Sequence, residues 1–326
     1  MTTVFLETTG DRHLQIVGGL TALERRVREL AKQGATRAVA ACAPMAFPRL
    51  LPIPVEFVAP GTAAPADARR ERADVIRDIE LVDEAARARA EWTLIRGSNK
   101  SFEGPVDALI NWRFSMRLTR LLARRSLAVT PNHVTICAIL LGITASVVAS
   151  RGGYLALALA GVMLEVNSIL DSVDGELARL RYQFSKLGQW LDNLSDDIVD
   201  NLFIAAVGTA LGGTWQWLGL AAAGGRVLVS VTTYVSVYRR TGTGDVFAFR
   251  WWFEGQTTST DDVYDPTKVT TWLRSFGRRD TFVFLWMLAC VVGLPYWVVG
   301  HGLLIAAVNV SMLVLHFTVF RSRWAA

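Results

Sequence analysis

Cysteine is scarce in this sequence, and the few that occur follow no pattern. Cys42, Cys137 and Cys290 are spread over 326 residues, without the short spacings typical of zinc ligands or redox-active dithiols. We interpret all three as small apolar side chains of the protein core. The sequence therefore gives no support to a zinc-binding or thiol-redox protein.

The N-terminal third also lacks long apolar runs. The chain starts without a basic segment followed by an apolar core, so we expect no cleaved signal peptide. Residues 1–104 contain no run that could span a bilayer, whereas from Val129 onward apolar runs approach the ~20 residues that the hydrocarbon core requires. The hydrophobic fraction of 52% and the mean hydropathy of +0.31 average over these two parts. We predict two domains, a cytoplasmic head (1–104) and a membrane domain (105–326).

The positive charge of the chain is not accompanied by a nucleic-acid-binding motif. The net charge is +5, and basic residues cluster in the head, in 113–125 and in 239–279. Such clusters suit an anionic membrane surface. We therefore predict the lipid bilayer as a partner and no nucleic acid.

Six apolar segments approach the length of membrane-spanning helices. An even number places both termini on one side, and the loops of that side hold most of the basic residues between the spans. The positive-inside rule then predicts a multi-pass protein of the cell (inner) membrane, with both termini and the active site in the cytoplasm. The predicted spans are 131–150, 154–172, 194–212, 214–238, 281–299 and 301–320.

The segment before the first span alternates apolar side chains with arginine at near-helical periodicity. We interpret this segment, residues 106–125, as an amphipathic helix lying in the membrane interface. The predicted fold is thus an all-α polytopic bundle of six transmembrane helices plus an interfacial helix, preceded by a small α/β domain.

Alternating strand and helix patterns predict the α/β fold of the head. Thr3–Glu7, Arg37–Ala41 and Val55–Val58 have the pattern of strands. Leu20–Lys32 has helical periodicity, and we expect one or two charged helices within Ala64–Ala90.

Four aspartates follow one another at helical spacings beside strongly apolar stretches. Asp171 and Asp174 share one helix face, and Asp192 and Asp196 share another. Carboxylates that face one another at a membrane boundary repel unless a cation lies between them, and hard divalent cations prefer oxygen ligands. The pattern predicts a two-metal pocket at the end of a helical bundle. Arg179 offers a planar guanidinium for a phosphate held beside the metals.

Residues 171–196 read Asp-x2-Asp-Gly-x2-Ala-Arg-x8-Gly-x3-Asp-x3-Asp. This segment resembles the signature of the CDP-alcohol phosphotransferases at every position. Thr130–Thr135 also resembles the segment that opens the first span in that family. The resemblance implies a membrane body of six helices, a homodimer, and the attack of an acceptor alcohol on the β-phosphorus of a CDP-alcohol with release of CMP.

The resemblance also implies roles for the residues of the motif. Two divalent cations, Mg²⁺ or Mn²⁺, would be bound by Asp171, Asp174, Asp192 and Asp196. Asp196 would in addition be the catalytic base that takes the proton of the acceptor hydroxyl. The implied CDP-alcohol-binding residues are Asn132, Thr135, Asp174, Gly175, Ala178, Arg179, Ser185 and Gly188.

Several arginines are candidates for binding the acceptor. Arg226 lies in an otherwise apolar span, where an ionisable residue indicates function, although an ion pair with Asp200 explains it equally well. Arg239 and Arg240 could bind an acceptor phosphate or act as positive-inside anchors, and the same two explanations apply to Arg278–Arg279. A polyol or polyol phosphate such as inositol phosphate is the predicted acceptor. The donor would be CDP-diacylglycerol or CDP-inositol.

The head has a resemblance of its own. Gly18–Val39 is similar to part of a sugar-nucleotidyltransferase domain, in which a similar helix and strand follow the nucleotide loop. The glycine-rich loop with its basic residue and a clear metal-binding aspartate are both absent from the head. We therefore predict a nucleotidyltransferase-like domain that is inactive as a cytidylyltransferase and serves docking, dimerisation or regulation.

Two other functions compete with this interpretation. Asn167-x3-Asp171-x2-Asp174 and Asp192-x3-Asp196 resemble the aspartate-rich pairs of UbiA-like prenyltransferases, but those pairs lie far apart on separate repeats. A membrane scaffold whose aspartates bind structural calcium is the non-catalytic alternative. It predicts that Asp196→Asn leaves metal affinity intact.

Overall fold

The computed structural model describes residues 2–98, 104–125, 129–184, 186–242 and 277–318, together with Phe249 and Trp251. The chain forms two compact units. The first, called the head unit below, combines the N-terminal region with two short segments of the later sequence, and comprises 1–99, 116–129 and 176–183. The second, the helical unit, comprises 100–115, 130–175 and 184–326.

The head unit contains eight strands within the described residues. They are β1 (Thr3–Glu7), β2 (Ile16–Val17), β3 (Leu20–Thr21), β4 (Arg37–Ala40), β5 (Val55–Phe57), β6 (Arg69–Arg72), β7 (Val75–Ile76) and β8 (Ile79–Glu80). Four of them form a parallel sheet in the order β5-β4-β1-β6. The pairs β2-β3 and β7-β8 are antiparallel.

Side-chain alternation along β1 explains how the sheet is buried on both faces. Val4 and Leu6 pack in one apolar cluster with Leu23 of the following helix, whereas Phe5 packs with Val39 in another. Each of these side chains contributes roughly 1.5–3 kcal/mol through its removal from water. The predicted α/β fold and its three strands are confirmed.

The helices of the head begin at capping side chains. Helix α1 (Ala22–Lys32) starts after Thr21, whose hydroxyl accepts from Glu24 N, and confirms the predicted helix. Helix α2 (Glu84–Arg96) starts after Asp83, whose carboxylate accepts from Ala86 N. Of the one or two charged helices predicted within Ala64–Ala90, one is present, and only from Glu84 onward. The earlier part is not helical, because the charged segment Arg69–Arg72 forms β6 and pairs with β1.

The later part of the chain is helical. A π-helical turn (Asp107–Asn111) leads into α3 (Trp112–Arg125), and the long helices that follow are α4 (Pro131–Ser150), α5 (Tyr154–Leu180), α6 (Lys186–Leu211), α7 (Gly213–Thr241), α8 (Arg279–Val291) and α9 (Tyr296–Thr318). The predicted helix at 106–125 is therefore present. Leu109, Phe114 and Leu121 are exposed on it. Exposed apolar side chains are what a helix lying in the membrane interface requires. The interfacial location itself stays a prediction.

Within the part of the chain that the structure describes, four helices are long and apolar enough to cross a membrane: α4, α5, α7 and α9. They correspond to the first, second, fourth and sixth predicted spans. The third falls on α6, which carries Asp196, Asp197 and Asp200, and the fifth begins on α8, which has only 13 residues. The number of six spans stays a prediction.

The helical unit has an apolar core with close helix contacts. Trp286 is fully buried at its centre, stacks on Phe203 with ring centroids 6.3 Å apart, and donates from Nε1 to His301 Nδ1 at 3.1 Å. Helices α6 and α7 meet at two glycines, where a Cβ added to Gly208 or Gly219 would lie 3.0 Å from the Cα atom of the other. Small residues permit such approach between membrane helices.

Candidate active site

Three of the four predicted metal ligands come together between two helices. Asp171 and Asp174 lie on α5 and Asp192 lies on α6. Each offers a carboxylate oxygen, and these oxygens all lie within 4.8 Å of one another. Such an oxygen set, partly open to solvent, fits a hard divalent cation such as Mg²⁺ or Mn²⁺.

Asp174 is oriented by a side chain of the preceding helix. Thr135 on α4 donates a hydrogen bond from Oγ1 to Asp174 Oδ2, and both residues are buried. Helix α4 begins at Pro131, four residues before Thr135, because Thr130 caps it and proline is favoured in the first turn. Asn132, in the same turn, is half-buried. Thr135 therefore orients a carboxylate of the cluster, a role that the sequence alone did not indicate.

The fourth aspartate, Asp196, forms an ion pair. Its Oδ1 atom lies 2.9 Å from Arg279 Nη1, and the same nitrogen lies 3.3 Å from Asp171 Oδ2. The guanidinium of Arg279 also donates from Nη2 to Asn167 Oδ1 at 2.9 Å and contacts Asp200 Oδ1 through Nε at 3.4 Å. Arg279 thus connects the start of α8 to polar residues of α5 and α6.

A second arginine shares one of these partners. Arg226 Nη2 lies 3.2 Å from Asp200 Oδ2, and its Nε donates to Asn201 Oδ1 at 2.9 Å. The guanidinium carbon lies 5.1 Å from the ring centroid of Phe282, within the range of a cation–π contact. The ion pair between Arg226 and Asp200 that the sequence suggested is therefore formed, and the two oxygens of Asp200 join Arg226 to Arg279.

The other two candidate acceptor residues lie elsewhere on α7. Arg239 and Arg240 are exposed in its last turn. Arg239 lies thirteen positions after Arg226, which is roughly 20 Å along a helix axis. One small phosphate cannot contact both ends of that stretch. Arg279, in contrast, shares Asp200 with Arg226. From the sequence, Arg279 is predicted either to anchor the helix or to bind the acceptor phosphate.

Comparison with known proteins agrees with this arrangement. The sequence profile described as CDP-alcohol phosphatidyltransferase matches residues 128–313, more than half of the chain. The chain belongs to this family. As a family member it is a transferase, and the matched region contains all four aspartates of the candidate site.

Several curated proteins are similar to this member of the CDP-alcohol phosphatidyltransferase family. A "bifunctional IPC transferase and DIPP synthase" of Thermococcus kodakarensis is 36% identical over 160 residues, which cover 48% of this chain and 35% of the relative. A protein of the same name from Aquifex aeolicus is 28% identical over 236 residues, covering 71% and 47%. An "archaetidylinositol phosphate synthase" of Pyrococcus horikoshii is 40% identical over 93 residues, covering 28% and 46%. The chain thus spans less than half the length of these relatives.

The remaining residues of the family signature lie around the helix ends. Gly175, Ala178 and Arg179 lie on the last turns of α5, and Gly188 lies on the first turn of α6. Within the head unit, Arg179 donates from Nε to the backbone carbonyl of Ser98. Among the predicted CDP-binding residues, Ser185 lies outside the described part of the chain.

Proposed function

We propose that this protein is an integral membrane CDP-alcohol phosphotransferase that transfers a substituted phosphate from a CDP-alcohol to a phosphorylated polyol and releases CMP. The convergence of Asp171, Asp174 and Asp192 supports the donor side of this proposal. The neighbouring arginines 226 and 279, which share Asp200, support an anionic acceptor. The reaction would belong to phospholipid or polar-headgroup biosynthesis.

The aspartates would hold the metal ions of the reaction. Asp171, Asp174 and Asp192 would bind Mg²⁺ or Mn²⁺ through the oxygens that already face one another, and Asp196 would complete a two-metal set. The bound ions would neutralise the diphosphate and stabilise the negative charge on the leaving CMP. Thr135 would keep Asp174 in its binding orientation through its hydrogen bond.

The transfer step requires a base beside the metals. The acceptor hydroxyl oxygen would attack the β-phosphorus, the bond from that phosphorus to the bridging oxygen would break, and CMP would leave with the bond electrons. Asp196 would take the hydroxyl proton, since its carboxylate lies on the same helix as Asp192 and is 29% exposed. Asn132, Thr135, Gly175, Ala178, Arg179, Ser185 and Gly188 would line the CDP-alcohol site.

Arginine guanidinium groups would bind the acceptor phosphate. Arg279 and Arg226 present planar N–H donors, the geometry that suits a phosphate dianion. An inositol phosphate is the acceptor that we favour, because one relative is named for the synthesis of archaetidylinositol phosphate. The donor would carry either a lipid or a polyol, as in CDP-diacylglycerol or CDP-inositol. Arg239 and Arg240 would anchor α7 at the cytoplasmic surface or guide the acceptor towards the site.

The membrane arrangement is part of the proposal. Six spans, the apolar exposed side of α3 and the basic cytoplasmic loops would place both termini and the active site on the cytoplasmic side of the cell membrane. Soluble nucleotide could then enter the site directly. The nucleotidyltransferase-like head would dock, dimerise or regulate the enzyme, and a homodimer is the proposed assembly.

One assay tests the function. Purified protein with Mg²⁺ or Mn²⁺ should release CMP from CDP-diacylglycerol or CDP-inositol when inositol 1-phosphate is supplied. Asp171→Ala and Asp196→Ala should abolish this release, whereas Asp67→Ala, an exposed position of the head, should leave it unchanged. Failure of the unmodified protein to release CMP from any CDP-alcohol would refute the proposal, and intact CMP release by Asp171→Ala would refute the assigned metal site.

A further inference from the structure

Two carboxylates of the proposed site are engaged by one nitrogen atom. Arg279 Nη1 lies 2.9 Å from Asp196 Oδ1 and 3.3 Å from Asp171 Oδ2. A metal ligand and a proton acceptor both need free carboxylate oxygens. While the ion pair stands, Asp196 points at the guanidinium instead of at a metal or a hydroxyl group.

The guanidinium is fixed in this position by further contacts. Nη2 donates to Asn167 Oδ1 at 2.9 Å, and Nε lies 3.4 Å from Asp200 Oδ1. The Arg279 side chain is only 18% exposed. Its ion pairs therefore differ from flexible ion pairs on the surface, which contribute little to stability. A change of partner therefore requires a ligand that replaces these contacts with others of equal strength.

An acceptor phosphate is a ligand of that kind. Bidentate binding of a phosphate uses two parallel N–H donors on one edge of the guanidinium. On the edge formed by Nη1 and Nη2, the current acceptors are Asp196, Asp171 and Asn167. A phosphate on this edge would compete with Asp196 for the Nη1 donors.

We infer that Arg279 masks Asp196, and that the phosphate of the acceptor releases it by taking over the guanidinium. This inference rests on the proposed function and adds a control step to it. The base becomes available only when the correct acceptor is in place. In this scheme Arg279 binds the acceptor phosphate and controls the availability of Asp196, and it thereby selects phosphorylated acceptors over water.

The reaction that the mask suppresses is hydrolysis of the donor. In that reaction a water oxygen attacks the β-phosphorus, the bond to the bridging oxygen breaks, and CMP leaves with the bond electrons. The water proton goes to Asp196, and the other product is the phosphorylated donor alcohol. While Asp196 is paired with Arg279, it cannot accept the proton of an attacking water molecule, and hydrolysis is slow.

Arg279→Gln tests the mask, because it removes the charge and keeps a polar but shorter side chain. CMP release without an acceptor, per molecule of bound donor, should rise about tenfold, the range of typical coupling energies. Transfer to inositol 1-phosphate should fall, so the ratio of hydrolysis to transfer should rise further. Arg151→Gln is the control, since Arg151 is exposed at the C-terminal end of α4, and its ratio of hydrolysis to transfer should equal that of the unmodified protein.

Metal binding provides a second readout that does not depend on turnover. In the absence of donor, Mn²⁺ should bind Arg279→Gln about tenfold more tightly than the unmodified protein, because Asp171 and Asp196 lose a competing cation. In the unmodified protein, inositol 1-phosphate should tighten Mn²⁺ binding, and this effect should disappear in Arg279→Gln. Electron paramagnetic resonance of free Mn²⁺ measures both quantities.

The outcomes separate the inference from the proposed function. Equal Mn²⁺ affinity and equal acceptor-free CMP release in Arg279→Gln and the unmodified protein would overturn the mask while leaving the transferase function in place. Absence of CMP release from the unmodified protein would instead overturn the function. If Arg279→Gln does not fold, the inositol 1-phosphate titration of the unmodified protein decides, and unchanged or weaker Mn²⁺ binding in it counts against the mask.

Discussion

Thr135 on α4 donates a hydrogen bond to Asp174 on α5, and it thereby orients one of the three carboxylates that converge between α5 and α6. Thr135 is 4% exposed and Asp174 is 5% exposed. Mutation of residues that orient metal ligands typically lowers metal affinity about 10- to 100-fold. The contact therefore links the first turns of α4 to the metal chemistry of the proposed site.

Removal of the Thr135 hydroxyl should weaken metal binding. Thr135→Val keeps the shape of the side chain and leaves Asp174 without its donor, so we expect Mn²⁺ affinity to fall about 10- to 100-fold. Titration of Mn²⁺ followed by electron paramagnetic resonance measures this change. Thr144→Val is the control, because that hydroxyl on the same helix donates to Leu140 O. Equal losses in both variants would assign the effect to helix stability instead of to Asp174.

Loss of the aspartate between the two arginines should destabilise the helical unit. Asp200 is 2% exposed and contacts both Arg226 and Arg279. Asp200→Ala leaves two cations side by side, and removal of one partner of a buried ion pair costs about 3–5 kcal/mol. Unfolding in mixed detergent micelles, followed by tryptophan fluorescence, measures the change.

The double variant with Arg226→Met checks the origin of this effect. It should recover part of the lost stability, because it removes the arginine whose ion pair with Asp200 is lost, and the methionine can still pack on Phe282. Additive losses in the double variant would show that repulsion between the arginines does not cause the destabilisation.

The contact between α6 and α7 should not tolerate a side chain. A Cβ at Gly219 would lie 3.0 Å from the Gly208 Cα and 3.0 Å from Ile204 O, which are backbone atoms that cannot rotate away. Gly219→Val should therefore cost about 1–3 kcal/mol, measured as a lower midpoint of thermal unfolding. Gly224→Ala on the same helix has open space around its added Cβ, and should be neutral or up to about 1 kcal/mol stabilising. If both variants unfold at a lower temperature, close contact between α6 and α7 is not the cause of the destabilisation.

Acid should weaken the edge of the sheet in the head unit. Burial opposes ionisation of Glu71, but its hydrogen bond and ion pair with Arg26, at 2.7 Å, outweigh it and lower the pKa of Glu71 below its usual value. A carboxylate whose pKa is lowered on folding stabilises the fold above its unfolded pKa, and the contribution is lost as the pH falls through the folded value. Arg26→Met should thus destabilise β6 by about 1–3 kcal/mol near pH 7, and much less in acid.

Hydrogen exchange of the β6 amides in the full chain measures this pH dependence. Arg37→Met is the matched control, because the pair of Arg37 with Glu56 is about half exposed on both sides and such pairs contribute at most about 1 kcal/mol. The same loss of protection at acidic and neutral pH in Arg26→Met would contradict the assigned role of Glu71.

The elements of the head show where sequence patterns succeed and where they fail. The strand at Thr3–Glu7 and helix α1 were predictable, because alternation and helical periodicity are local properties of the chain. The charged stretch Arg69–Arg72 has no such pattern and became a strand only through pairing with β1. Tertiary pairing overrides local propensity at such edges.

The sequence by itself determined which acidic residues make up the candidate site and which family the chain belongs to. The spacing of Asp171, Asp174, Asp192 and Asp196 fixes which carboxylates share a helix face, because neighbours on a helix depend only on local geometry. The interposed small residues and Arg179 identify the family that the profile match confirms.

Only the tertiary structure decided which partners those carboxylates contact. Asp192 meets the aspartates of α5 because two helices pack, whereas Asp196 is engaged by Arg279, which lies 83 residues further along the chain. A long-range ion pair depends on the packing of α8 against α5 and α6, and no local periodicity records it. Asp192 and Asp196 are only four residues apart but have different partners, and this difference is a property of the fold.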